Sequence, residues 1–261
     1  MKSCLGLCEI AAIVFVLFSG MGVARAQASP GAPSQTALDR DDPKPSAPAK
    51  LRKFSVALRA ATLLQGAGAE ELSCEGECAS VVTGRSDFEN HLAFGANVDF
   101  MGAVGRMVRL GLGFLYVAPY RVDLDGIDES YELGSDLSSD LVFELTPRLA
   151  PGVWLVPRIQ TGLTLLFPAG DLGDDLARLA DMCDASRATD CGKIEGIKPG
   201  YNLGLGFGGL FALDESIAVR ADVLFQAYVI NLFTVEAESP HATISRSIEG
   251  TRFFVMAGVE L

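Results

Sequence analysis

The chain has 261 residues, of which 49% are apolar, and sets 21 Lys and Arg against 33 Asp and Glu for a formal net charge of −12. That length holds one domain, or one domain with a tail, and supports a sizeable core. The acidic balance excludes a partner that tracks nucleic-acid phosphates, and the apolar fraction excludes a mainly disordered chain.

Lys2, the apolar run Ile10 to Phe18 and the small residues Ala24 and Ala26 read as a secretory signal peptide, residues 1–26, cleaved after Ala26. The apolar run is short for a helix that must cross about 30 Å of hydrocarbon, which favours cleavage over the competing reading of an uncleaved anchor. Cleavage leaves 19 basic and 32 acidic residues, a mature charge of −13. Residues 27–50, rich in Pro, Ala and Ser and carrying Asp39-Arg40-Asp41-Asp42, are expected to form a flexible periplasmic tail. The folded part is expected over residues 51–261.

From residue 51 the hydrophobic period is two, not 3.6, and the runs are long. Eight strands are predicted, near 52–65, 88–101, 106–118, 137–147, 153–167, 199–212, 216–229 and 250–261. In the second, Phe88, Leu92, Phe94, Val98 and Phe100 alternate with Glu89, His91, Gly95, Asn97 and Asp99. In the sixth, Tyr201, Leu203, Leu205 and Phe207 alternate with Asn202, Gly204, Gly206 and Gly208. Strands of soluble proteins commonly have five or six residues, whereas a tilted strand crossing a bilayer needs about nine to eleven. Connections alternate as well, short after strands two, four and six and long after one, three, five and seven (near 66–87, 119–136, 168–198 and 230–249). Short turns at one end and long loops at the other are the asymmetry of transmembrane barrels.

The long connections carry net charges of −4, −5, −3 and −2, so the negative charge is expected as a rim at one end of the barrel. In the first, Cys74 and Cys78 are close in sequence, as are Cys183 and Cys191 in the third. An even cysteine count in a secreted chain predicts two small disulfide loops, with a zinc site as the competing reading. Asp123, Asp125 and Asp128 in the second connection cluster oxygens without the spacing of a calcium-binding loop, a weak candidate for a divalent cation. Leu172, Leu176 and Leu179, preceded by Asp171, predict a short helix in the third, packed within its loop or lying over the barrel mouth.

The polar face places Arg59, Glu89, His91, Asp99, Arg109, Asp140, Glu144, Arg158, Arg220, Asp222, Arg252 and Glu260 in one lumen network. Five Arg and no Lys is the choice expected where guanidinium forks meet carboxylates in confinement. Glycines of the same parity, among them Gly113, Gly206 and Gly208, leave room for those long side chains in a barrel only wide enough to be filled. Apolar-face aromatics such as Tyr116, Tyr201, Phe54 and Phe100 fall toward strand ends, as interfacial girdles do. The opposite orientation, apolar face inward, would make a soluble lipocalin-like ligand carrier. His91 and His241 are the only histidines and make no credible catalytic triad, so no enzyme activity and no cofactor are expected.

With this strand pattern the domain resembles the small eight-stranded outer-membrane barrels of the OmpA/OmpX type. The resemblance implies an all-β, antiparallel up-and-down transmembrane β-barrel in the outer membrane of a Gram-negative bacterium, both termini periplasmic, monomeric, in contact with lipid and lipopolysaccharide and inserted by the outer-membrane machinery. One departure from that pattern is the ending Gly258-Val259-Glu260-Leu261, where such barrels commonly end in an aromatic. The expected role is a plugged barrel presenting acidic surface loops, structural or interacting, with a narrow cation-preferring channel as the alternative.

Overall fold

The structure is a computed structural model that describes residues 52–76, 84–124, 130–185, 194–238 and 241–261. Two units separate along the chain, Met1–Ser46 and Ala47–Leu261, and all described residues belong to the second.

The alternating segments form β1 (Phe54–Gly76), β2 (Gly84–Asn90), β3 (Ala93–Ala103), β4 (Val108–Leu124), β5 (Ser130–Leu145), β6 (Arg148–Ala150), β7 (Val153–Pro168), β8 (Lys198–Ala212), β9 (Ala218–Glu238) and β10 (His241–Glu260), with one helix, α1 (Gly170–Ala185). All pairings are antiparallel. β2 and β3 act as one strand interrupted at His91 and Leu92, and both pair with β1 and β4. β6 is a short pairing inside the turn to β7. The ring therefore has eight staves, and β10 closes it on β1 in a seam from Ala57 opposite Glu260 to Gly76 opposite Ala242. Closure leaves no edge strand with unpaired backbone groups, the condition for placing a sheet in hydrocarbon.

Three of the four predicted long loops are mostly strand. β1 runs to Gly76, β9 to Glu238, and β10 starts at His241, so residues 66–76 and 230–249 are largely ladder rather than loop. Among the described residues, only the third connection, which carries α1, departs from the barrel wall for a long stretch. Register shifts bend the wall on the way: β1 shifts between Leu63 and Gln65, β4 around Tyr120, after Pro119, and the β9–β10 ladder between Arg246 and Ser247. Such insertions reverse the facing of residues beyond them.

Candidate functional site

Outward positions over about a dozen residues of each stave are apolar and exposed. On β9 these run Val219, Val223, Phe225 and Val229; on β8 Tyr201, Leu203, Leu205 and Phe207; on β4 Leu110, Leu112, Phe114 and Tyr116. Tyr201 is 73% exposed and Phe94 63%, values that no water-facing barrel wall would sustain over a continuous ring. Among the described residues no charged side chain interrupts this belt on its outward face.

Inside the belt the polarity is reversed. Arg59, Arg109, Arg158 and Arg220 meet Asp99, Glu144, Asp222 and Glu260 across the lumen, all buried. Arg220 donates from Nη2 to Glu144 Oε1 at 2.6 Å and from Nε to Asp222 Oδ2 at 2.8 Å. Arg59 reaches Asp99, Asp222 and Asn97. Arg158 donates to Asp99 at 2.9 Å and to Gln160 at 2.6 Å, and Gln160 in turn donates to Asp140 at 2.7 Å. Arg109 Nη2 lies 2.7 Å from Glu260 and 2.5 Å from Ser55 Oγ. Four guanidinium groups facing four carboxylates, with Asp140 joined through an amide, make a nearly neutral cluster whose hydrogen bonds cross from stave to stave. Glycines admit the forks: a Cβ on Gly206 would lie 2.5 Å from Arg158 Cγ, and one on Gly113 2.8 Å from Asp99 Oδ1.

A second, smaller cluster lies nearer the long-connection end. Arg252 donates to Asp136 and to the Tyr120 hydroxyl, both at 2.6 Å, and its guanidinium stacks 3.9 Å from the centre of the Tyr228 ring. Between the clusters the lumen is filled by Leu63, Leu115, Leu224, Phe254 and Met256. The domain is a transmembrane β-barrel.

Ten of the twelve residues expected in the lumen network are buried there. Glu89 and His91 are not: Glu89 is exposed, and the half-exposed His91 bonds Asp123 at 2.7 Å on the outer surface. The cause is the interruption at His91 and Leu92, which changes facing between β2 and β3, so that Phe88 turns inward while Phe94 points out. Asp136 and Tyr120, which hold Arg252, fall in a stretch that reads as loop, and no sequence signal marks them as lumen residues. Asn97, Gln160, Asn202 and Gln226 share the inward parity and could have been added by it. Of the candidate cation ligands, Asp123 is engaged by His91, and Asp125 and Asp128 lie outside the described residues. Cys78 and Cys191 lie outside them too.

Beyond the belt the polarity reverses once more. Phe88, Val122, Leu133, Leu166, Ile230 and Ile248 face inward and form an apolar core, closed from above by Leu172, Leu176 and Ala180 of α1. Outward positions there include Arg85, Asp87, Arg121 and Asp123, all exposed, and the half-exposed Glu249. The predicted helix thus lies over the mouth. It is anchored by Asp171, which accepts from Glu132 N at 2.8 Å, and by Asp175, which accepts from the Tyr131 hydroxyl at 2.7 Å. Burial, then the Asp175 hydrogen bond, raises the Tyr131 phenol above its ordinary pKa. Gly134 and Gly170 make the approach possible, since both have positive φ and a Cβ on Gly134 would lie 2.2 Å from Phe167 O.

No known family profile matches the chain, and no curated protein matches its sequence. Among solved structures, the outer membrane protein OprG from Pseudomonas aeruginosa superposes with a TM-score of 0.47 at 13% identity, covering 79% of this chain and 93% of that one. The outer membrane protein AlkL gives 0.37 at 12% identity, covering 89% and 95%. The outer membrane protease OmpT from Escherichia coli gives 0.37 at 8% identity, covering 79% and 95%. At these identities and scores the likeness carries no argument. The membrane placement rests on the belt and the polar lumen, and a single-chain barrel of eight staves with this asymmetry belongs to the outer membrane of a Gram-negative envelope. An apolar exterior is likewise incompatible with the soluble carrier, which needs its greasy face inside.

Proposed function

We propose that the barrel is a plugged, non-conducting scaffold whose role is structural or one of surface interaction, carried out by the wall and helix that rise above the membrane. The single supporting observation is the cross-lumen cluster of Arg59, Arg109, Arg158 and Arg220 with its four carboxylates, every member buried, backed by an apolar layer and the α1 cap. Parting such a cluster exposes paired charges to a low-dielectric interior, which costs several kcal/mol per ion. Rigidity of this kind suits a pedestal. In the same reading Cys74 pairs with Cys78 and Cys183 with Cys191, stapling the first hairpin and the end of α1; Cys74 and Cys183 are both engaged rather than free. The barrel works as a monomer against lipid and lipopolysaccharide after delivery by the insertion machinery. It has no catalytic role.

Planar-bilayer recording tests the plug. The expected trace is flat for the unaltered protein, with openings appearing in Arg220→Ala combined with Arg59→Ala. Discrete cation-preferring openings in the unaltered protein would replace the plugged scaffold with the narrow-channel reading.

A further inference from the structure

The short-turn end of the barrel, opposite the acidic rim, contains a recess of about 940 Å³. Its walls come from the start of the folded domain, the β3–β4 turn and the β5–β7 connection. Three cations stand there, Lys53, Arg106 and Arg148, all exposed and none in an ion pair among the described residues. Arg148 is held rather than loose: its Nε donates to Ala150 O at 3.1 Å and its guanidinium lies 6.0 Å over the Trp154 ring. Its two terminal nitrogens have no hydrogen-bond partner among the described residues.

At the inner end of the recess are two side chains that are already buried and incompletely satisfied. Arg109 is 2% exposed, and its Nη1 has no hydrogen-bond partner, Glu144 Oε2 being 3.8 Å away. Thr146 is 1% exposed, and its hydroxyl is also unpartnered. Orphaned buried donors beside a group of unpaired cations are what an anion site lacks when nothing is bound. The carboxylates of this end are committed elsewhere or set apart: Glu144 and Glu260 bind Arg220 and Arg109, while Asp214 and Glu215 sit on the β8–β9 turn outside the recess.

The recess is also pre-formed. Ala103 N donates to Lys53 O at 2.8 Å, Val104 N to Val108 O at 3.0 Å and Thr146 N to Met107 O at 2.7 Å, so the segments that carry the cations are tied to one another through the backbone. Little ordering entropy remains to be lost on binding.

We propose that this recess binds a phosphate group, with Arg148, Arg106 and Lys53 contacting its oxygens and Arg109 and Thr146 completing the inner side. A planar guanidinium held by Trp154 and two further cations suit a tetrahedral oxyanion with several acceptors better than a single carboxylate. The bearer is either the headgroup of an anionic phospholipid in the inner leaflet or a soluble phosphate compound. Val104 and Met107, 68% and 55% exposed beside the recess, would rest against acyl chains in the first case.

The experiment compares full-length protein with a Lys53→Ala, Arg106→Ala, Arg148→Ala variant, both confirmed folded by heat-modifiable gel migration. One arm titrates inorganic phosphate and glycerol 3-phosphate into protein in non-ionic detergent by calorimetry. The other measures retention of phosphatidylglycerol against phosphatidylcholine by native mass spectrometry from mixed bilayers. Saturable binding in either arm that falls at least about tenfold in the variant, as loss of a charge-assisted contact predicts, supports the site, and the arm that shows it identifies the bearer. Equal binding by both proteins, or no saturable binding in either arm, overturns it. A variant at the other mouth, Arg121→Ala, is expected to bind as the unaltered protein does.

Discussion

Each guanidinium in the lumen has two or more partners, so the cost of removing one group is set by what it leaves behind. Glu144 lies at 2.6 Å from Arg220 and within 3.8 Å of both Arg109 and Arg158. Glu144→Gln leaves those charges short of a counter-ion and is expected to lower stability by about 3 kcal/mol, the scale for breaking a buried pair, read from urea unfolding in phosphatidylcholine vesicles. An unchanged midpoint would mean that the cluster is more solvated than its burial indicates. Glycine packing gives a sharper contrast. Gly206→Val drives a side chain into Arg158 and is expected to cost about 1–3 kcal/mol by overpacking, whereas at Gly102 the nearest atom to a Cβ is 3.7 Å away, so Gly102→Ala should be silent in the same assay. Gly206 and the lumen charges were legible in sequence because parity alone sorts inward from outward positions. Glu89 and His91 were not, because one irregular step at His91 and Leu92 reverses parity and no residue there announces it.

The same logic explains why the strands were visible and their ends were not. On β9 the apolar residues that face lipid through the membrane are odd-numbered, Val219 to Val229, and the lumen side is mostly polar; above the membrane the apolar residues are Ile230 and Leu232, which face in. The hydrophobic alternation thus changes phase within one continuous strand. A change of phase reads as a strand end, so in the sequence the hairpin wall above the membrane reads as loop. The helix was legible from Leu172, Leu176 and Leu179, but its place was not, because Asp171 and Asp175 engage residues far away in sequence. Its docking should depend on pH. The Tyr131 phenol is raised above its ordinary value of 10.0, so the folded state holds that proton more tightly than the undocked one. Docking is fully present below pH 10 and weakens as the pH rises above it. Hydrogen exchange of α1 should therefore accelerate above pH 10 in the unaltered protein and show a smaller pH response in Tyr131→Phe; identical profiles would assign the anchor to the leucines alone.

At the level of the whole molecule, two inversions of polarity along the barrel axis define where the bilayer begins and ends. Phe225→Arg, in the middle of the belt, is expected to cost about 2–4 kcal/mol, while Asn231→Arg, six residues further along β9 and exposed above the belt, is expected to cost about 0–1. Equal penalties would displace the membrane from the belt described. Belt, staves and their antiparallel order were accessible from period and length; the height of the wall above them was not, since it depends on pairings between residues as distant as Ser73 and Ser245. That seam has a kinetic meaning. β1 and β10 are first and last among the staves, so one of the two longest pairings in the barrel joins the segments most separated along the chain, and loop-closure entropy opposes it until the intervening hairpins have formed. Before the seam zips, both staves present unsatisfied backbone groups along nearly twenty residues, a template for any passing strand. Assembly must therefore keep β1 shielded until β10 arrives, and the step that makes the barrel safe in lipid is the last one taken.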